Sequence, residues 1–265
     1  MRIFAWAVAA LLLLSSHASA DISYVSGTYT QDFNGLFSTG SQTVNGRGPH
    51  AIQQLLGSVG VEGWYGANPA GSSANTEFRS QNGSQSGSNG RGVVSFGSTG
   101  SSDRALGALP TSNQINSFGV IFTNDSGTTL TDVTIAFTGE QWRLGEVGIS
   151  NTLSFLYGIG SSIDDASQSY TPLDFSSPIT SGTLGALDGN DPLNQLLRSA
   201  TISGLNWQAG EKLALRWNMN EVTGQDSGLA IDNFSFSATA VPEPSALGLL
   251  AVAGVVAGGL RRKRS

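Results

Sequence analysis

The sequence predicts an all-β protein, an antiparallel two-sheet sandwich of the jelly-roll type. Three observations predict it. Charged residues make up only 12% of the 265, and glycine accounts for 35 of them. That composition suits short strands joined by many turns, not a helical bundle or coiled coil, which needs Ala, Glu, Lys and Leu in helical period. Apolar and polar residues alternate at period two in several runs, and no run is long and periodic enough to demand a helix. The length gives room for one large domain or two small ones. The absence of cysteine removes disulfides, thiolate zinc sites, thiol nucleophiles and cysteine-linked lipid anchors together.

Taken from the N-terminus, residues 1–20 read as a secretory signal. Arg2 gives the positive start, Ile3 to Leu14 is an unbroken apolar run, and Ala18-Ser19-Ala20 offers the small-x-small pattern cut after Ala20. Twelve apolar residues rise only ~18 Å as a helix, short of a ~30 Å hydrocarbon core. Residues 21–240 form the β-sandwich domain. Within it, Ile52 to Val59 and Leu193 to Leu197 have the length of short helices. Ser80 to Gly92, reading SQNGSQSGSNGRG, has no packing residues and reads as a loop that is mobile or ordered by a ligand. Phe118, Val120 and Phe122 alternate, and Asn124-Asp125-Ser126-Gly127 reads as a hairpin turn into the next strand. Val133, Ile135 and Phe137, then Leu153, Phe155, Tyr157 and Ile159, then Leu213, Leu215, Trp217 and Met219 keep the same period, one face buried and one solvated. At Leu229 and Ile231 the parity differs from Phe234 and Phe236, which predicts a β-bulge at Asp232-Asn233.

At the C-terminus, residues 241–265 hold Pro242-Glu243-Pro244, a short apolar helix from Ala246 to Leu260, and Arg261-Arg262-Lys263-Arg264. Basic residues after an apolar helix hold that end in the cytoplasm. Fifteen residues reach only ~22 Å, so the segment spans a membrane only with local thinning or help from its flanks. The tripeptide, helix and basic tail, in that order behind a signal peptide, resemble the PEP-CTERM sorting signal of Gram-negative bacteria. The resemblance implies export past signal peptidase, a transient stay in the inner membrane through the C-terminal transmembrane helix, and processing near the tripeptide by an exosortase, a membrane cysteine transpeptidase. It also implies a final place at the cell surface or in the extracellular matrix, among exopolysaccharide and biofilm.

A second resemblance lies in the domain. Ser102-Asp103-Arg104-Ala105-Leu106-Gly107, Gly139-Glu140-Gln141-Trp142-Arg143, Leu215-Arg216-Trp217 and Gly228-Leu229-Ala230-Ile231-Asp232-Asn233-Phe234 occur in that order. They are similar to a recurrent exported bacterial domain, which implies a β-sandwich of unassigned activity. That domain often has acids where this chain has Asn218 and Asn220, which weakens any metal site on that strand.

Setting aside five basic residues and Glu243 in the two ends leaves 8 basic and 18 acidic residues, a net charge of −10. Phosphate neutralisation dominates nucleic-acid binding, so this acidity opposes a nucleic-acid partner. One histidine, His50, remains after signal cleavage, and its Gly46-Arg47-Gly48-Pro49 context suggests no nucleophile for a Ser-His-Asp triad. One His without Cys does not supply a structural zinc site. Glu62, Glu77, Glu140, Glu146, Glu211 and Glu221 could include the carboxylate pair of a glycoside hydrolase, although Glu140 is expected in a structural ion pair with Arg143 or Arg216. Each arginine of so uncharged a core is expected to have a carboxylate partner.

Calcium is the more credible ligand. Asp188, Asn190 and Asp191 set three oxygen donors around Gly189, against the simpler reading of a turn before Pro192. Asn218, Asn220, Asp226 and Asp232 make a second oxygen-rich set, with turn-backbone bonding as its alternative. Trp217 keeps the phase of the buried residues and belongs to the core. Trp64-Tyr65, between Gly63 and Gly66, is the candidate exposed aromatic pair for stacking on a sugar. The expected function is therefore an exported, exosortase-processed surface or matrix protein that is structural or glycan-binding, with no catalytic residues assigned. A secreted polysaccharide hydrolase and a calcium-dependent adhesin are the alternatives.

Overall fold

The computed structural model describes residues 21–71, 73–111 and 114–240. The two terminal signals, with Ala18, Ala20, Pro242, Glu243, Pro244, Arg261, Arg262, Lys263 and Arg264, lie outside the described residues. Among the described residues no helix is long and apolar enough to cross a membrane.

The strands are, in chain order, β1 (Ile22–Tyr24), β2 (Thr28–Gln31), β3 (Ser41–Val44), β4 (His50–Ala51), β5 (Trp64–Ala70), β6 (Thr76–Gln81), β7 (Gly92–Phe96), β8 (Ala105–Leu109), β9 (Ile115–Asn124), β10 (Asp132–Leu144), β11 (Thr152–Ile159), β12 (Gln168–Ser169), β13 (Phe175–Ser176), β14 (Gly185–Ala186), β15 (Gln195–Ile202), β16 (Lys212–Asn220) and β17 (Gly228–Thr239). They form two sheets packed as a sandwich. One sheet runs β12-β11-β16-β9-β5-β4, with β1 beside β9 and β13 beside β11. The other runs β14-β10-β17-β8-β7-β6-β3, with β15 beside β10 and β2 beside β17.

The alternating runs supply the core. Phe118, Val120 and Phe122 of β9, Leu213, Leu215 and Trp217 of β16, and Leu153 and Phe155 of β11 meet Val133, Ile135 and Phe137 of β10 from the facing sheet. Trp217 stands at the centre. Its ring lies 5.1 Å from Phe155, 5.5 Å from Phe137, 5.8 Å from Phe118 and 5.9 Å from Phe234. Edge-on and offset ring pairs of this kind add to the area they bury.

The bulge falls where the parity change put it. Ala136 opposes Ser235 but Thr138 opposes Asp232, and Asn233 takes a positive φ of 49°. One extra residue returns Phe234 and Phe236 to the face already held by Leu229 and Ile231, so all four reach the same core.

Four local expectations change. β9 and β10 lie in different sheets, so 124–127 is an arch between layers and not a hairpin turn. Asn124 holds it, its amide donating to the Thr128 and Trp207 carbonyls at 2.9 and 2.8 Å. Only Ile52–Gln54 of the first short helix forms, as a 3-10 turn. In the second, Pro192–Asn194 makes a 3-10 turn and Gln195 onward pairs with β10. Finally, two strand pairs are parallel, β1 with β9 and β6 with β7. Parallel neighbours cannot be joined by a tight turn. The chain from 82 to 91 therefore has to run back along β6, which explains the length of the polar loop.

Candidate functional site

That return segment is ordered by its own polar groups. Gln81 Nε2 donates to the Gly90 carbonyl at 2.7 Å, Arg79 Nε to the Arg91 carbonyl at 2.8 Å, and Ser84 N to Asn82 Oδ1 at 3.2 Å. Gly83, at φ +85°, lies against the Trp142 carbonyl, where any Cβ would overlap it. Arg143, only 4% exposed, donates from Nη1 to the Gly83 carbonyl at 3.0 Å and from Nη2 to Gln225 at 3.1 Å. The loop expected to be mobile or ligand-ordered is thus pinned by glycine contacts and a buried guanidinium.

So held, the loop forms one wall of a hydroxyl-rich cleft made of three adjoining recesses. The first, about 320 Å³, lies between Ser38-Thr39, the 80–85 segment and the 97–100 turn. The second, about 310 Å³, extends past Ser38, Thr39 and Gly100 to Asn34 and Ser102. The third, about 240 Å³, shares Ser80 and Gln85 with the first and reaches Arg79. Arg104 lines both larger recesses.

Arg104 owes its place to strand register. It directly precedes β8, whose residues are all buried, and the parallel pairing of β6 with β7 sets Ser80 beside Ser95. The guanidinium lies across both. Nε donates to Ser95 Oγ at 3.0 Å, Nη2 to Ser80 Oγ at 2.9 Å and also to the Ser95 carbonyl. Burial, opposed by the nearby Asp103 charge, pulls its pKa down to about 10.

Another recess, about 580 Å³, is lined by Thr30, Asp32, Gly60 and the bulge residue Asn233. Close to the bulge, Glu140 and Asp232 stand on one face of β10 and β17, Glu140 opposite Ala230 and Thr138 opposite Asp232. They are 1% and 4% exposed. Burial, with the Asp232 charge next, pushes Glu140 up to about 8, and burial pushes Asp232 up to about 7. The expected ion pair of Glu140 with Arg143 or Arg216 does not form. Glu140 accepts from Trp142 Nε1 at 2.9 Å and Gln195 Nε2 at 3.1 Å, while Arg216 meets Asp164 at 3.0 Å.

The candidate sugar-stacking pair is corrected. Trp64 is fully buried, stacked 6.1 Å from Trp217, with Nε1 donating to the Tyr29 hydroxyl at 3.1 Å. The flanking glycines serve close packing, since a Cβ at Gly66 would overlap Phe78. Tyr65 is half-buried and donates to Asp21 Oδ1 at 3.0 Å.

In the candidate calcium loop the side chains serve the backbone. Asp188 Oδ1 accepts from Asn190 N at 3.1 Å and Asp191 Oδ1 caps Leu193 N at 2.9 Å. Asn190 Nδ2 turns to Asp103 at 2.7 Å. Gly189 is needed because the Trp142 indole lies where its Cβ would be. The second oxygen-rich set is divided, Asn218 on β16 and Asp232 on β17 lying in different sheets. Among the described residues no three His, Asp or Glu side chains converge to hold a metal. His50 bonds the Gly46 carbonyl at 3.1 Å and meets the Phe78 ring edge-on.

The sequence reading missed Arg104 as a site residue. Its signal was there, a lone arginine in Ser102-Asp103-Arg104 leading straight into the apolar Ala105-Leu106.

Among solved structures the chain is similar to the K1 cleaved adhesin domain of Lys-gingipain from Porphyromonas gingivalis W83, at 12% identity and TM-score 0.35, over 81% of this chain and 99% of that one. It is similar to a xylan-binding module at 12% identity and TM-score 0.36, over 76% and 97%. A carbohydrate-binding module that recognises mannan matches at 11% identity and TM-score 0.34, over 80% and 96%. No curated protein matches the chain. Residues 240–264 match the family described as the PEP-CTERM protein-sorting motif, so the chain carries the sorting signal that its Pro-Glu-Pro, apolar run and basic tail resemble.

Proposed function

We propose that this protein is exported, processed by an exosortase at the C-terminal motif, and retained in the extracellular polysaccharide by a β-sandwich that binds glycan without turning it over. The sorting motif at 240–264 is the observation that carries the reading. The cleft around Arg104 supports the glycan-binding part, because its Ser, Thr, Asn and Gln side chains offer the donors and acceptors that sugar hydroxyls need. A hydrolase would set an acid of raised pKa in a cleft beside a second carboxylate. Glu140 and Asp232 have the raised pKa values, but both are buried and Glu140 is bonded to Trp142 and Gln195, which favours binding over turnover.

The test compares the intact mass and fractionation of the protein in an exosortase-competent host and its exosortase deletion. The expected product of the competent host lacks residues 1–20 and the segment after Pro244 and travels with the matrix polysaccharide. Retention of the basic tail in both strains would overturn the sorting part. Recovery free of polysaccharide would overturn the matrix part.

A further inference from the structure

We infer that the cleft floored by Arg104 binds the carboxylate of an acidic sugar, a uronic acid unit of the matrix polysaccharide. The inference rests on the glycan-binding reading above and names the chemistry of its ligand. Acids outnumber bases 18 to 8 between residues 21 and 240, and the other cations around this cleft are already engaged. Arg79 and Arg91 share Glu77, both at 2.6 Å, and Arg143 is committed to the loop carbonyl of Gly83. Arg104 has no carboxylate within ion-pair distance among the described residues. Its neighbour Asp103 instead accepts from Asn190.

A buried cation is costly unless paired and fully hydrogen-bonded, and Arg104 is 3% exposed. Serine oxygens and one carbonyl satisfy Nε and Nη2. Nη1 has no protein acceptor among the described residues and lies beside Gly97, where a Cβ would overlap it. The glycine leaves room for the guanidinium to lie there. The N–H groups of Nη1, on a guanidinium that stays charged at neutral pH, match a carboxylate oxygen better than any neutral sugar group. Around it Thr39, Asn82, Ser98 and Thr99 are set to take ring hydroxyls. The net charge of −10 repels polyanions at long range, so retention by one reports a local site and not general electrostatic attraction.

Affinity electrophoresis of the processed protein tests this in gels containing polygalacturonate, carboxyl-reduced polygalacturonate, dextran sulfate or the host's own matrix polysaccharide. The expected result is at least tenfold stronger retention by polygalacturonate than by its carboxyl-reduced form or dextran sulfate. Thr39→Trp, at the exposed rim, is expected to abolish that retention with the melting temperature unchanged. Arg104→Gln is expected to do the same where it folds, and Thr39→Trp decides the matter where it does not. Equal retention by acidic and reduced polymers, retention by dextran sulfate as strong as by polygalacturonate, or an unaffected Thr39→Trp would each overturn the carboxylate assignment. Binding of the host polysaccharide in those cases would leave the glycan reading standing. Retention by none of the four gels would overturn both.

Discussion

Replacing Glu140 with glutamine isolates the electrostatic cost of the buried carboxyl on the bulged face of β10 and β17. Burial first, and the Asp232 charge second, raise its pKa from 4.5 to about 8. A raised folded-state value means that the folded chain holds its proton where the unfolded chain has lost it. This contribution to stability is therefore complete below pH 4.5, declines as the pH rises, and is gone above about 8. The shift corresponds to roughly 5 kcal/mol over the whole window and roughly 3 kcal/mol by pH 7, at about 1.4 kcal/mol per pH unit. For a domain of this size that is a fall of about 6–12 °C in melting temperature between about pH 4.5 and 7. The amide of the Glu140→Gln variant does not titrate, so its curve lacks this slope. At low pH the substitution costs about 1 kcal/mol, because the new amide nitrogen must face Trp142 Nε1 or Gln195, one of which loses an acceptor. Scanning calorimetry from about pH 4 to 9 is thus expected to show curves that cross, wild type more stable in acid and Glu140→Gln more stable above about pH 5. Asp232, raised to about 7, gives both proteins a residual slope of the same sign. Parallel curves across the range would refute the reasoning, since Glu140 would then be ionised alike in the folded and unfolded chains.

Trp217→Ala removes the ring on which both sheets converge and is expected to cost about 3–5 kcal/mol in urea unfolding. Gly83→Ala forces a Cβ into the Trp142 carbonyl at a positive φ. It is expected to detach the 82–91 loop, seen as faster amide exchange there, and to weaken retention by polygalacturonate. Asp191→Ala loses the cap on Leu193 N and is expected to cost about 1 kcal/mol in the same urea titration. A chelator is expected to leave the melting temperature of the wild type unchanged, and a drop on chelation that Asp188→Ala abolishes would restore calcium to the 188–191 loop.

The sandwich, the core-facing residues of β9, β10 and β16 with Leu153 and Phe155 of β11, the bulge at Asp232-Asn233 and the sorting signal were legible in the residues alone, but further along β11 the alternation misled, since Tyr157 is half-buried and Ile159 is 43% exposed. These are local signals. Period-two alternation commits one face of a strand to the core wherever that strand pairs, a parity change needs one extra residue, and the sorting motif is contiguous. Strand neighbours, and with them the site, emerge only in the folded chain. Alternation does not say that β9 and β10 belong to different sheets, or that β6 and β7 run parallel and require a return loop. Trp64 between two glycines reads equally well as an exposed tip or a tight packing point, until Phe78 and Trp217 arrive from distant strands. Glu140 and Arg143, close in the chain, look like partners until Trp142, Gln195 and the 83–84 loop claim them separately. Arg104 becomes the floor of a cleft only because Ser80, Ser95 and Gly97, from strands and turns separate in the chain, converge around one guanidinium.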